Sequence, residues 1–322
     1  MLVRITQKIL HANRPLLPSL IFGSLPALLV LAACNRAEPL VTASTASPTL
    51  EYQGAWGTRG AGPGQLTSPI GFAADSVGNI YLVDAATGFV NKFSRSGQPR
   101  LSFQDDRLNL QPSDIAVDQG GAIYVAEARR GSVIIYYPDG RRYREMRIAP
   151  AKQFRGSLRV AVDSDGSLFI AGRKPFGIRR YSRRGRLEAT WATGKIPSAV
   201  ALEEPAAMAI GPDGFLYVSE SARPVIHVFH PSGEWQRTFT VPGDGAQLAG
   251  LSFTARMLVA ADPKNHALHL WSLNGAYRRR EELDAWITDL APSPTRLALS
   301  PDGECLLLDA PAARILRFHL RE

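Results

Sequence analysis

Cysteine is scarce in this sequence, with only Cys34 and Cys305 among 322 residues. Two cysteines cannot form the disulfide framework that stabilises many small secreted domains. Cys305 lies inside the apolar run CLLLD, and we expect it to be a buried structural thiol. The fold must therefore depend on a hydrophobic core, and 45% apolar with 20% charged residues is typical of a globular chain.

Acidic residues are absent from the start of the chain. Residues 1–33 carry three basic residues and no Asp or Glu, and residues 16–33 are almost wholly apolar. A basic segment followed by an apolar one is the layout of an export signal. Pro18 and Pro26 interrupt the apolar segment, which favours a signal peptide over a permanent membrane-spanning helix.

The last residues of this segment, 31–34, read LAAC and resemble the bacterial lipobox. The resemblance implies that Cys34 receives lipid and becomes the mature N-terminus. Residues 34–49 are rich in Ala, Ser, Thr and Pro, and we interpret them as a flexible tether with a reach of about 20–25 Å. The sequence thus predicts an exported protein that is lipid-anchored to a bacterial membrane, the outer membrane rather than the inner one.

The excess of basic residues is small. Removing the three basic residues of the signal from the total of 37 leaves 34 Lys and Arg against 29 Asp and Glu, a net charge of +5. A dedicated nucleic-acid binder usually carries a larger and more concentrated positive charge. Together with export, this balance argues against a nucleic-acid partner.

One spacing recurs six times in residues 50–322. Gly78 is followed by an aromatic residue, Phe93, fifteen positions later and by Gly97 nineteen positions later. The same spacing starts again at Gly121, Gly166, Gly214, Arg256 and Gly303. Successive starts lie 42 to 48 residues apart, and a period of about 40–50 residues indicates a propeller or solenoid array.

Each unit contains four short strand patterns separated by turns. A turn of the type Asp-x-x-Gly separates the first two apolar segments, a third segment ends at the aromatic residue, and a fourth is more polar. The sixth unit ends with its third segment, Arg314–Leu320, whereas Leu50–Trp56 precedes the first unit as a spare strand. We therefore predict an all-β, six-bladed β-propeller whose ring is closed by the N-terminal strand.

Several segments resemble NHL repeats, most clearly PIGFAADSVGNIYLVD (Pro69–Asp84), PSDIAVDQGGAIYVAE (Pro112–Glu127) and the lead-in GAGPGQL (Gly60–Leu66). The resemblance covers residues 50–322 and is weakest in the fifth unit. It implies a six-bladed propeller of NHL type. It implies no single function, because NHL propellers include enzymes, RNA-binding modules and protein-docking platforms.

The inner strands of such a propeller line its central channel. One register places only small residues there, namely Ala73, Ala116, Ala161, Ala209, Ser252 and Ala298. Two positions earlier, Asp114, Arg159 and Arg296 form a candidate charged cluster at one channel mouth, most simply an ion pair and a solvated arginine. Propeller lyases and gluconolactonase-like relatives need His or several carboxylates converging on a metal at this place, and the sequence departs from that pattern. We therefore expect no cofactor and no catalytic residue.

The histidines do not predict a metal site. His227 and His230, like His266 and His269, lie three positions apart, which on a strand places them on opposite faces. Five of the six second strands end in an acid, and recurrence at one repeat position indicates a structural role, with the carboxylate accepting backbone N–H bonds of the next loop. These acids are Asp84, Glu127, Glu220, Asp262 and Asp309.

The loops that follow the second strands lie at the same end of a propeller. They bring together one candidate binding face, made of Arg129, Arg130, Arg173, Lys174, Phe176, Arg223, Lys264, His266 and Arg314. The opposite end carries arginines as well, including 141–144, 183–186 and 278–280. We interpret the protein as a binding or scaffold module of the cell envelope whose partner is an envelope protein or an anionic glycolipid or polymer. The alternative is a propeller enzyme, a lyase or lactone hydrolase, with its site at the channel mouth.

Overall fold

The computed structural model describes residues 49–106, 112–148, 158–173, 175–191, 202–243, 245–283, 294–300 and 302–321. The predicted signal, lipobox and tether therefore lie outside the described residues, apart from Thr49. In the described ranges the secondary structure is β-strand and turn, and no helix is long and apolar enough to span a bilayer.

Six antiparallel sheets of four strands each form the blades, with the strands numbered β1 to β24 in chain order. The innermost strands are β2 (Pro69–Ala74), β6 (Pro112–Val117), β10 (Arg159–Val162), β14 (Pro205–Ile210), β18 (Gly250–Phe253) and β22 (Pro294–Leu299). The second strands are β3 (Ile80–Asp84), β7 (Ile123–Glu127), β11 (Leu168–Gly172), β15 (Leu216–Glu220), β19 (Met257–Asp262) and β23 (Glu304–Asp309).

The third and fourth strands complete each blade. The third strands are β4 (Phe89–Phe93), β8 (Ser132–Tyr136), β12 (Gly177–Tyr181), β16 (Val225–Phe229), β20 (Ala267–Ser272) and β24 (Arg314–Arg321). The outer strands are β5 (Pro99–Gln104), β9 (Arg142–Arg147), β13 (Leu187–Trp191), β17 (Trp235–Thr240) and β21 (Tyr277–Glu282) in the first five blades, and β1 (Thr49–Trp56) in the sixth.

The six sheets are arranged as a ring. Each innermost strand contacts the innermost strand of the next blade, and β22 contacts β2. Second strands such as β3 and β7 are buried at every position, because each sheet packs between two neighbouring sheets. The architecture is a six-bladed β-propeller, as the repeat predicted.

The ring is closed by β1, which pairs antiparallel with β24 from Thr49 opposite Arg321 to Trp56 opposite Ile315. Leu50 is 1% exposed and packs with the core of the sixth blade, while Trp56 contacts Phe93 of the first blade at a ring-centroid distance of 5.0 Å. The predicted closing strand is therefore confirmed and extends one residue further, to Thr49. It contributes to the sixth sheet and to the contact between the last and first blades.

Strand direction defines two different ends of the propeller. We call the loop end the one that carries the connections from second to third strands and from each outer strand to the next blade. The turn end carries the tight hairpins between first and second and between third and fourth strands. Since β1 is antiparallel to β24, its first residue, Thr49, lies at the turn end and Trp56 at the opposite end of the strand.

Removal of β1 should destabilise the whole ring. A chain that begins at Thr58 lacks the outer strand of the sixth blade and exposes the edge of β24. Loss of the buried Leu50 side chain alone costs on the order of 2 kcal/mol, a large share of typical domain stability. We expect this chain to melt well below the parent or to aggregate in a thermal unfolding measurement.

A chain that begins at Ala46 is the matched control, because it keeps all 24 strands. It should melt like the parent. If the chain from Thr58 also melted at the parental temperature, β1 would not be needed to close the ring.

Candidate functional site

The inner strands approach one another closely at the loop-end mouth of the channel. Gly71 and Gly250 occupy the repeat position of Asp114, Arg159 and Arg296. A Cβ atom added to Gly71 would lie 3.0 Å from the Ile115 nitrogen, and one added to Gly250 would lie 2.9 Å from the Cα of Arg296. Glycine is therefore required at these two positions. The charges of the mouth are carried by Asp114, Arg159 and Arg296.

Asp114 and Arg159 connect β6 to β10 by bonds to the main chain. The Asp114 carboxylate is 7% exposed and accepts the Val160 N–H at 3.1 Å, whereas Arg159 Nη1 donates to the Ser113 carbonyl at 2.9 Å. Among the described residues neither arginine of the mouth lies within ion-pair distance of Asp114. The predicted ion pair is therefore not what the structure shows, because each charged group bonds to the backbone of the neighbouring strand.

Arg296 repeats this arrangement in the sixth blade. Its Nη1 donates to the carbonyls of Ala249 and Thr295, both at 2.7 Å. Burial, followed by the charge of Arg296, lowers the pKa of Arg159 to about 10, and burial lowers the pKa of Arg296 as well. Within the described structure the Arg159 Nε has no hydrogen-bond partner. The mouth thus holds two guanidinium groups whose hydrogen bonds go to carbonyl oxygens.

The acids at the ends of the second strands organise the loop end. Asp84 accepts N–H bonds from Thr67 and Ser68 on one oxygen and from Ala86 and Thr87 on the other, at 2.7–3.0 Å. Glu127 and Asp262 likewise accept backbone N–H bonds from the loops that follow them. The predicted structural role is confirmed for these three acids. Glu220 accepts the backbone N–H of Glu203 at 3.2 Å, and both Glu220 and Asp309 also bind an arginine of their own loop.

That difference separates the basic residues of the predicted face into two groups. Arg223 donates to Glu220 at 2.8 Å and Arg314 donates to Asp309 at 2.8 Å, so these two charges are neutralised. The other described Lys and Arg residues of the predicted face lie within ion-pair distance of no acid in the described ranges, and they are Arg129, Arg130, Arg173 and Lys264. Arg129, Arg173 and Lys264 are exposed, and Arg130 is half-buried.

Two further residues of the predicted binding face are less exposed than expected, and a third lies outside the described residues. Phe176 is only 7% exposed and packs beneath the Arg179 guanidinium at 4.2 Å, so it belongs to the core rather than to a binding face. The ring is buried because it packs into the core cluster that the second and third blades share. His266 is half-buried with a φ of 49°. Lys174 lies outside the described residues.

The buried histidines pair with the strand-end acids of their own blades. His227 Nδ1 lies 2.9 Å from the Thr238 hydroxyl and its Nε2 lies 3.7 Å from Glu220. His269 Nε2 lies 3.1 Å from Asp262, and its Nδ1 lies 2.9 Å from a tyrosine hydroxyl. Sequence reasoning missed both pairs, although each acid precedes its histidine by seven residues, a spacing that reaches across one hairpin. No cluster of three or more His, Cys, Asp or Glu with metal-binding geometry occurs within the described ranges.

A cleft of about 400 Å³ lies at the turn end rather than at the predicted face, and it is lined by the first turns of the first and sixth blades. Arg95 donates to Asp302 at 2.9 Å there and also contacts Glu304. The Asp75 carboxylate accepts hydrogen bonds from Asn79 and from the Tyr81 hydroxyl. The charged groups of this cleft are thus engaged by the protein itself.

Comparison with known proteins defines the architecture. No family model matches this chain, and no curated protein matches it by sequence. By structure it is similar to virginiamycin B lyase from Staphylococcus aureus, with a TM-score of 0.59, 16% identity, and coverage of 78% of this chain and 80% of the lyase. A streptogramin B lyase gives a TM-score of 0.59 and 11% identity over 85% of this chain and 98% of the other. A protein of unknown function from Bacteroides thetaiotaomicron gives 0.67 and 14% over 85% and 77%.

Protonation of His227 should make stability depend on pH. Burial, followed by the charge of Arg223, lowers the pKa of His227 to about 4. In the unfolded chain the pKa is about 6.5, so below that pH the unfolded state takes up a proton that the folded state resists. The stabilisation is thus complete above pH ~6.5 and is lost as the pH falls towards ~4. Between pH ~7.5 and ~5 the free energy of unfolding should fall by on the order of 2 kcal/mol more in the parent than in His227→Gln, measured by urea denaturation.

The control is His230→Gln, which removes an exposed histidine of the same blade. That variant should keep the full dependence on pH. Equal pH dependence in the parent and in His227→Gln would contradict the assignment of the effect to residue 227.

Proposed function

We propose that this chain is an exported, lipid-anchored binding module of the bacterial envelope, and that its loop end binds an anionic ligand, either an envelope protein or an anionic glycolipid or polymer. The observation that carries the proposal is the unneutralised positive charge of the loop end. Arg129, Arg173 and Lys264 are exposed there, and the guanidinium groups of Arg159 and Arg296 lie at the channel mouth.

The arrangement of these basic groups favours ligand binding over charges that only contact solvent. Surface arginines commonly lie beside acids, as Arg223 and Arg314 do here. In the described ranges no acid lies within ion-pair distance of Arg159 or Arg296, and both are held in place by backbone carbonyls, so their positions are fixed before a ligand arrives. The Asp114 carboxylate also lies at this mouth, but the two guanidinium groups outnumber it, and an excess of positive charge attracts an anion. Planar guanidinium groups also match the geometry of carboxylates and phosphates.

The envelope location rests on the sequence. Residues 1–33 have the layout of an export signal, and the LAAC motif at 31–34 supports lipid attachment at Cys34. The resemblance of Pro69–Asp84 and Pro112–Glu127 to NHL repeats supports a member of that group, in which docking platforms are common. The alternative, a lyase or lactone hydrolase, is supported by the names of two solved structural neighbours, and recovery of a chemically altered partner would favour it.

A pair of charge reversals tests which end binds the ligand. One variant carries Arg129→Glu, Arg173→Glu and Lys264→Glu at the loop end, and the matched variant carries Arg183→Glu, Arg184→Glu and Arg278→Glu at the turn end. All six side chains are exposed, so the fold should tolerate both sets. Components recovered from detergent-solubilised native envelope are quantified for each variant by mass spectrometry.

The loop-end variant should lose roughly tenfold or more of the specifically recovered component, and the parent should lose it progressively as salt increases. The turn-end variant should retain this component. The lipids are dispersed in detergent and form no continuous membrane surface that the turn end could bind. Equal loss from both variants would indicate nonspecific basicity, and loss only from the turn-end variant would place the binding face there.

A further inference from the structure

The exposed apolar side chains of this propeller are concentrated at one end. Among the described residues the exposed large apolar side chains are Tyr52, Val77, Tyr137, Tyr143, Leu187 and Trp235. Five of these lie in the hairpins of the turn end or on the strand residues beside them, and Tyr52 lies midway along β1. Among the described residues the large exposed apolar side chains are thus concentrated at the turn end.

Two of these tyrosines form the centre of a patch. The Tyr137 and Tyr143 rings are 5.1 Å apart and are 43% and 55% exposed. The Arg141 guanidinium lies over Tyr137 at 5.5 Å, and that of Arg144 lies over Tyr143 at 5.4 Å. Aromatic rings that pack together with cations over their faces combine an apolar body with a charge that remains in contact with water.

The same patch is rich in arginine. Residues 137–144 and 182–187, which we call the arginine–tyrosine patch, contain six arginines. Three of them lie within ion-pair distance of acids, Arg141 of Asp139, Arg142 of Asp105 and Arg186 of Glu188. Arg183 and Arg184 are exposed, and no acid of the described ranges lies within ion-pair distance of them. Arg144 donates to the carbonyls of both residues at 2.8 Å, which joins the second blade to the third. The patch is thus a fixed surface rather than a set of independent side chains.

The direction of β1 places the preceding chain at this end. Thr49 is the first residue of β1 and lies at the turn end, so residues 34–48 join the propeller there. If Cys34 carries lipid, as proposed above, a tether with a reach of about 20–25 Å keeps the turn end close to the bilayer. The exposed tyrosines, Trp235 and the arginines then lie on the side nearest the membrane.

We infer that the turn end is a membrane-docking face whose arginine–tyrosine patch binds the phosphate headgroups of anionic phospholipid. Tyr and Trp are enriched where proteins meet the membrane interface, because one end of each ring is apolar and the other is polar. Basic residues add electrostatic attraction to an anionic leaflet. A second copy of this chain is a poorer occupant, since the exposed Arg183 and Arg184 of two facing patches would repel each other. The inference does not depend on the identity of the loop-end ligand.

Vesicle binding by a chain without lipid tests this inference. The chain from residue 35 lacks Cys34 and keeps all 24 strands of the closed ring, so any binding comes from the protein surface. It is sedimented with phosphatidylcholine vesicles that contain or lack phosphatidylglycerol, at low and at high salt. We expect binding to the anionic vesicles that is weaker at high salt, and little binding to the neutral ones.

Two variants of the patch and one control identify the surface. Arg183→Glu with Arg184→Glu should weaken partition into anionic vesicles by at least about 25-fold, since each basic residue near the surface contributes roughly fivefold. Tyr137→Ser with Tyr143→Ser should weaken it while leaving the dependence on salt unchanged. Arg129→Glu with Arg173→Glu, at the loop end, should bind vesicles like the parent.

Equal binding of all the variants, or no preference of the parent for anionic vesicles, would overturn the inference. A concentration-dependent dimer of the parent that is lost in the patch variants, seen by light scattering, would also overturn it in favour of self-association. The loop-end reversal should reduce partner recovery without reducing vesicle binding, so failure of this inference is distinguishable from failure of the proposed function.

Discussion

The antiparallel pairing of β1 with β24 is the contact on which the rest of the structure depends. A sheet that ends at its third strand has a free edge, and a ring of sheets with one incomplete member leaves that edge open to solvent and to other chains. Here the N-terminal strand fills the edge, Leu50 completes the core of the sixth blade, and Trp56 packs on Phe93 of the first. The first and last parts of the propeller thereby stabilise each other.

The same pairing determines which end of the propeller the N-terminal segment joins. Because β1 runs from the turn end, the N-terminal segment joins the propeller at the end with tight hairpins, and the variable connections lie at the other end. In the described ranges the hairpins expose aromatic rings and arginines, whereas the loop-end connections expose cations and no large apolar side chain. These surfaces support the proposals of membrane docking at the turn end and of anion binding at the loop end.

The repeat spacing predicted the strands, the six blades and the closing strand, because glycine turns and apolar alternation are local signals that recur. It also predicted the strand-end acids as backbone acceptors, which Asp84, Glu127 and Asp262 confirm. The repeat register predicts the position of a residue in its blade, but it does not predict which atoms its side chain contacts. Burial of Phe176 and the backbone bonds of Asp114 and Arg159 depend on packing between blades and were not predictable.

The pairing of His227 with Glu220 could have been predicted from the sequence, since the same seven-residue spacing separates Asp262 from His269 in the next blade. The difference between the loop end and the turn end could not be predicted from the sequence, because the sequence places arginines at both ends. Only solvent exposure and ion-pair distances separate the neutralised Arg223 and Arg314 from the unneutralised bases.

The central claim, that the turn end faces the membrane and the loop end faces away from it, is tested most directly by labelling one position at each end of the lipidated protein. Gln119→Cys lies in a turn-end hairpin and Ala222→Cys in a loop-end connection, both are exposed, and the native Cys305 is fully buried. A fluorophore at each position is measured on vesicles whose lipid headgroups carry a nitroxide quencher. The account predicts strong quenching at residue 119 and weak quenching at residue 222. Equal quenching at both positions, or stronger quenching at residue 222, would contradict it.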